Sequence, residues 1–414
     1  MQHADFLITN SNALIGDKFI KNSTIYVSKN KIIKIDTKSH QNRDAIPNIT
    51  TIDAKNNFVI PGFVDLQING NHGVLFSESN SVADFTFMLK PHLKSGTTSA
   101  FVSLISPNEK QIFKTIEIFE AANNTLGSQI VGLHLEGPLL SKYKSGIHNV
   151  ANFTNSFSKV LINKLGELTS NFKVLITLAP EEISFSFLKR LLDKNIKIAI
   201  GHSNASFERT QLAIELGVEL GTHIFNASEP IGGRSPGLTT SLLLNDKVYV
   251  SMIADSKHLH SATVEVIKRI KPHGKLILVS DSICYKSKEF KEIKIGDNIV
   301  VKKNGVLQTK NSQAQDAENF KLAGSAISLI DAVKICRDQY GFSLAESINM
   351  ASLNPAKLLK MDRLIGSLSS GSIANLVMLD QELNVMLVIS DGKIVKHSRN
   401  ISILDPLPSR DREV

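Results

Sequence analysis

Four side chains have the types and the setting for metal-assisted hydrolysis: Glu136, His202, His223 and Asp281. Each stands at or just past the end of a short apolar run. One carboxylate and two imidazoles are donors suited to a divalent ion such as zinc, and three protein ligands leave a coordination position for water. An ion held in this way lowers the pKa of its water toward neutrality. Asp281 is the natural group to accept that water's proton and pass it to a leaving amine. Each residue alone also has a plainer reading. A strand-end histidine is often satisfied by ordinary hydrogen bonds. Glu136, ahead of Gly137-Pro138, suits a loop carboxylate or helix cap, and Asp281, ahead of Ser282, suits an N-cap. What argues for chemistry is the recurrence. Other runs also lead into polar residues, Gln67 and Asn69 after the first and Asp255 with His258 after the seventh. Asp65, ahead of Gln67, reads as structural.

The elements that must position these residues follow from the same runs. Eight apolar stretches, 63–67, 98–102, 130–135, 174–178, 196–200, 220–224, 249–253 and 276–279, are each followed by a longer segment with helical spacing. Continuous apolar runs suit parallel strands buried on both faces. Eight βα units in one domain point to an α/β chain folded as a closed (β/α)8, TIM-like barrel, whose strands open their C-terminal ends onto one face. The two ends of the chain read differently. Segments 5–9, 24–28 and 31–35 near the start, and 375–380 and 385–389 near the end, alternate or run apolar between turn residues, with a hairpin signal at Asp391-Gly392. The expected organisation is a small β-sandwich formed from both termini, 1–57 and 367–414, flanking a barrel of residues 58–366.

Composition narrows the function classes. The chain has 414 residues, 42% hydrophobic and 21% charged, which is ordinary for a globular protein. Its two cysteines, Cys284 and Cys336, cannot build a disulfide framework and point to a reducing compartment. The start of the chain has no basic segment leading into an apolar run, and no stretch approaches the roughly 20 apolar residues of a membrane span. The expectation is a cytoplasmic protein with no membrane partner. A net charge of +8 is spread over scattered lysines, with no basic stripe interleaved with aromatics, so a nucleic-acid partner is not expected. Long-range attraction of a small anionic substrate is the milder consequence.

Five local motifs carry a resemblance. They are Pro61-Gly-Phe-Val-Asp-Leu-Gln-Ile-Asn-Gly70, Gly132-Leu-His-Leu-Glu-Gly-Pro138, Gly201-His-Ser-Asn-Ala205, Thr222-His-Ile-Phe-Asn-Ala227 and Leu322-Ala-Gly-Ser325. In this order the chain resembles the amidohydrolase superfamily and, within it, the N-acetylglucosamine-6-phosphate deacetylases. Many amidohydrolases carry His-x-His after the first strand and hold two metals. Here those positions read Gln67-Ile68-Asn69. The resemblance therefore implies one tightly held divalent ion, zinc foremost, on Glu136, His202 and His223, with Asp281 as general base and acid. It also implies that His148, preceded by Ile147, lies near the acetamido group, to polarise its carbonyl or hold a sugar hydroxyl. Asn226 and the Ala227 backbone would contact the sugar phosphate, as would Arg234, Asp255 and His258, with Leu322, Ala323 and Gly324 completing the substrate site. A surface salt bridge remains open for Arg234 and a solvent-facing helix start for His258. A phosphate site near a subunit boundary implies a homodimer. The alternatives are a deacetylase of N-acetylgalactosamine 6-phosphate, another amidohydrolase, or a non-catalytic barrel that binds a sugar phosphate.

Three departures stand out. The family's Asp-Gly-x-His reads Asp255-Ser-Lys-His258 here, which removes a glycine and adds the charge of Lys257 near the phosphate. Its Thr-Asp-Ala reads Ser280-Asp-Ser282. The polar segment 285–320 matches nothing in particular and suits a lid or a hairpin.

Overall fold

A computed structural model describes residues 4–37, 49–122, 127–287, 290–310, 321–398, 401 and 403–404. The chain divides into two compact units, one of residues 1–64, 92–99 and 343–414, the other of 65–91 and 100–342. Relative to the boundaries expected from the sequence, the first unit also takes in 92–99 and the helices Leu344–Ala351 and Leu353–Leu358.

In the first unit nine strands from both termini form one branched sheet. The branch lies along Phe6–Ile15. One edge of this strand pairs with Lys18–Ser28, and the other is shared by Thr50–Asp53 and Phe58–Pro61. Strands distant in sheet order, such as those of Ile32 and Leu387, contribute to the same apolar core with Phe6, Ile25, Val59 and Met378, so the sheet curls around that core.

The eight runs are the strands of a parallel barrel: Phe63–Ile68, Thr97–Ile105, Ile130–Glu136, Lys173–Leu178, Lys197–Ile200, Leu220–Gly221, Tyr249–Met252 and Leu276–Leu278, neighbours in that order. Every residue of the first three is buried, as a strand covered on both faces requires. A helix follows each strand. Lys159–Leu168 shows why: Leu161, Ile162, Leu165 and Leu168 repeat at helical spacing and turn inward. Its N-cap Ser158 accepts a hydrogen bond from the Leu161 N–H, as Ser184 and Ser206 do for the next two helices, each cap stabilising by about 1 kcal/mol. No described helix is long and apolar enough to cross a membrane.

The barrel closes by side chains as much as by backbone. Among the described residues the first and eighth strands share no continuous ladder. The Asp281 N–H donates to Gln67 O (2.9 Å), the Asn69 N–H to Ser282 O (2.9 Å), and the Ser280 N–H to the Asp65 carboxylate (3.2 Å). The structural role read for Asp65 is therefore a stitch across this seam.

The polar segment after the eighth strand holds an antiparallel meander, Glu292–Ile295, Asn298–Lys303 and Val306–Thr309. Its inward residues Ile293, Ile295, Val300 and Leu307 pack with Ile105, Ile147 and Ile283. Its last strand bonds to the next segment through Ala323 N–H to Leu307 O (3.1 Å). Residues 288–289 and 311–320 of this stretch lie outside the described residues.

Candidate metal centre and active site

The barrel mouth opens into a cavity of about 470 Å³. Glu136 ends the third strand, and His202, His223 and Asp281 directly follow the fifth, sixth and eighth strands or their short continuations. These last three have left-handed backbones (φ +49°, +27° and +50°), a strained conformation for non-glycine residues that turns each side chain back over the mouth. All four residues are buried.

Three donor atoms converge. Glu136 Oε1 lies 3.0 Å from His223 Nε2 and 3.4 Å from His202 Nε2, and the two Nε2 atoms are 3.1 Å apart. A tetrahedral ion with donors at about 2.0–2.1 Å would space them by about 3.3–3.4 Å, so the triangle fits one. The His202 tautomer agrees. His202 Nδ1 faces the Lys144 carbonyl at 2.9 Å, to which only an N–H can donate, so Nε2 presents a bare lone pair. A bare His202 lone pair beside the Glu136 carboxylate suits a cation between them. His148 adds a fourth nitrogen nearby, with Nε2 3.7 Å from the second Glu136 oxygen. Burial pushes the Glu136 carboxyl up, but the neighbouring His202 and His223 rings outweigh it and hold the group well below its usual range.

Asp281 sits beside this triangle in a different environment. Its Oδ1 accepts from Gln67 Nε2 (2.9 Å) and Asn69 Nδ2 (2.7 Å), and Gln67 Nε2 also donates to Glu136 Oε1 (2.8 Å). The two amides that stand in place of His-x-His thus link the acid/base candidate to the metal carboxylate. Burial, reinforced by the Glu136 charge, raises the Asp281 carboxyl to about 8. Gly324 packs against it. With φ +61°, a Cβ there would come within 2.9 Å of the Asp281 carbonyl, so glycine is required.

His148, Ile147, Asn226, Ala227, His258, Leu322 and Gly324 line the cavity, joined by Lys144 and Lys321. The His148 ring packs edge-on against His202 at 4.2 Å, and burial, aided by His202, holds its pKa well below the usual value. Asp255 does not line the cavity. Its carboxylate instead accepts from His258 Nδ1 (2.8 Å) and from the His258 N–H (2.8 Å), orienting that ring. Ser256 takes a left-handed φ of +60°, a backbone that glycine favours, while Lys257 is exposed and not among the lining residues. Ala323 is fully buried behind the lining. Arg234 is exposed and does not reach this cavity.

Two further residues were not evident from the sequence. Ser106 Oγ lies 2.5 Å from His148 Nδ1. His134, two residues before Glu136 on the same strand face, is bracketed by Ser103 Oγ (3.1 Å) and Thr177 Oγ1 (2.9 Å), with burial lowering its pKa to about 4. It forms a polar layer beneath the donor triangle.

An eight-stranded parallel barrel with convergent Glu, His and His donors and an adjacent aspartate at its mouth defines a hydrolase built around a divalent metal site. The chain belongs to the amidohydrolase family, whose model matches residues 58–395. A Haemophilus influenzae protein named N-acetylglucosamine-6-phosphate deacetylase is 32% identical over 352 residues, covering 83% of this chain and 88% of that protein. A Shewanella sp. (strain ANA-3) protein named N-acetylgalactosamine-6-phosphate deacetylase is 28% identical over 345 residues, covering 81% and 83%. The solved structure of N-acetylglucosamine-6-phosphate deacetylase from Pasteurella multocida superposes with a TM-score of 0.87 at 29% identity, covering 95% of this chain and all of that one.

Proposed function

We propose that this protein removes the acetyl group from N-acetylglucosamine 6-phosphate, giving glucosamine 6-phosphate and acetate. The observation that carries the reading is the convergence of Glu136, His202 and His223 within 3.0–3.4 Å of one another, with Asp281 tied to Glu136 through Gln67. These three residues would hold one divalent ion, zinc by the preference of such donors, and the bound ion supplies Lewis acidity and acidified water at the amide carbon. Asp281 takes the proton of the attacking water and returns it to the departing amine nitrogen. His148 directs Nε2 toward the carbonyl oxygen and donates to it as negative charge develops. Ile147, Leu322 and Gly324 shape the sugar site, with the buried Ala323 behind them. His258, oriented by Asp255, offers its other nitrogen to the phosphate beside Asn226 and the Ala227 backbone.

The exposed position of Arg234, outside its own chain's cavity, supports a homodimer in which this arginine serves the neighbouring site. The two buried free cysteines support a cytoplasmic location. The test is acetate release from N-acetylglucosamine 6-phosphate with and without a chelator, with the galactosamine epimer in parallel because the Shewanella relative is named for it. The expected result is release that chelation abolishes and added divalent metal restores. No release by metal-loaded protein from the glucosamine substrate would overturn the assignment, and faster release from the epimer would transfer it.

A further inference from the structure

Ser106 follows the second barrel strand with a left-handed backbone, φ +41°, and is 1% exposed. All of its polar groups are engaged. Its N–H donates to the Glu136 carbonyl (2.8 Å), its carbonyl accepts from Asn152 Nδ2 (2.9 Å), and its hydroxyl meets His148 Nδ1 at 2.5 Å. One residue therefore ties the end of the second strand to the strand of the metal carboxylate and to the loop that carries His148. A left-handed serine is costly by itself, and three simultaneous hydrogen bonds are the kind of surroundings that keep such a residue in place.

The contact with His148 has a chemical consequence. A neutral imidazole has one N–H and one bare nitrogen, and which is which depends on the partner of each. His148 lines the cavity, with Nε2 beside Glu136 Oε2 at 3.7 Å, and a ring nitrogen that donates to a carbonyl oxygen there must carry the proton. Nδ1 is then bare and buried, and needs a donor. The Ser106 hydroxyl is in place to donate to it. In the opposite tautomer His148 would turn a lone pair toward the substrate carbonyl oxygen, repelling it.

We infer that Ser106 is a positioning residue that locks His148 in its Nε2–H tautomer, and so readies it to donate to the substrate carbonyl oxygen. The inference rests on the deacetylase reading for what His148 does, but the tautomer itself can be read without turnover.

The experiment uses zinc-loaded, ¹⁵N-histidine-labelled protein and its Ser106→Ala variant, with the His148 signals assigned by a His148→Asn control. Parental His148 is expected to show the Nε2–H pattern, and Ser106→Ala a mixture of the two tautomers. The same variant is expected to lose about 10- to 100-fold in kcat, with KM within about threefold and zinc content unchanged, since a misdirected donor costs less than a deleted one. A parental Nδ1–H pattern overturns the inference, as does a Ser106→Ala enzyme within twofold of parental kcat. Loss of zinc from the variant also overturns it, because Ser106 would then be acting on Glu136. If Ser106→Ala does not fold, the parental tautomer alone decides. A parent with the Nε2–H pattern but no acetate release refutes the deacetylase reading and leaves the Ser106 assignment standing.

Discussion

The two halves of the barrel mouth pose opposite electrostatic problems. Across the third, fifth and sixth strands, Glu136, His202 and His223 turn a carboxylate oxygen and two ring nitrogens toward one another 3.0–3.4 Å apart, and His202 has already used its other nitrogen on Lys144 O. Across the seam of the first and eighth strands, the Asp281 carboxylate meets two amide donors, and Gln67 Nε2 serves both Asp281 and Glu136. Only a donor can face two carboxylates, so the orientation of that amide is set by chemistry. The ligand half gathers a carboxylate and two ring nitrogens that a cation would join, whereas the seam half is stitched by its own hydrogen bonds and leaves Asp65 Oδ2 and Asn69 Oδ1 without a partner among the described residues. Gln67 and Asn69 occupy the positions where imidazoles would open a second metal site, and they fill it with N–H groups. The contrast is the one that the proposed single ion requires.

The sharpest way to break that comparison is Asp281→Asn. The side chain keeps its shape and loses the ability to take a proton, while the ligand half is untouched. Turnover should fall by about 10³-fold or more, with metal content by elemental analysis unchanged. Retention of turnover within about tenfold would remove Asp281 from the proton path, and loss of the metal would merge the two halves into one site.

How much of this was legible in the sequence depended on whether a residue's role rests on its own strand. Glu136, His202, His223 and Asp281 could be found because each ends an apolar run, and a parallel barrel brings such ends together. The apolar pattern of the second run ends at Val102, whereas the strand continues through Ile105. Ser103 interrupts the apolar pattern without interrupting the strand, because it points into the barrel to meet His134. The misplaced end hid Ser106, which the same rule would have flagged. The seam was not legible either, since Asp65 and Ser280 are 215 positions apart and meet only when the barrel closes. The exposure of Arg234 likewise depends on a loop path that no residue pattern encodes.

The seam can be probed next through Asp65, whose Oδ1 accepts from the Gln67 and Ser280 N–H groups while burial raises its carboxyl from 3.8 to about 7. The folded chain keeps a proton that the unfolded chain releases above its ordinary pKa. This contribution to stability is therefore complete below about pH 4, declines as pH rises, and is lost above about pH 7. Each pH unit inside that window is worth at most about 1.4 kcal/mol. Asp65→Asn keeps the acceptor and removes the titration, so its urea-unfolding profile should be flatter with pH than the parent's. Parallel profiles would mean that Asp65 is ionised in the fold and that the seam is held by charge instead.

The smallest effect belongs to the ligand half. The His223 backbone N–H donates to Ser251 Oγ at 2.8 Å, at the left-handed turn of His223. Ser251→Ala leaves a buried N–H without its acceptor and should cost about 1–2 kcal/mol in denaturant unfolding. It should also weaken metal binding by about tenfold, the scale of losing a group that orients a ligand. What separates it from the seam variant is repair. Excess divalent metal should restore Ser251→Ala turnover, because the ligands remain and only their arrangement has loosened. Asp281→Asn should stay inactive at any metal concentration. If titrating metal into Ser251→Ala restored nothing, the left-handed turn at His223 would be doing more than aiming a ligand, and the division of the mouth into a metal half and a proton half would fail.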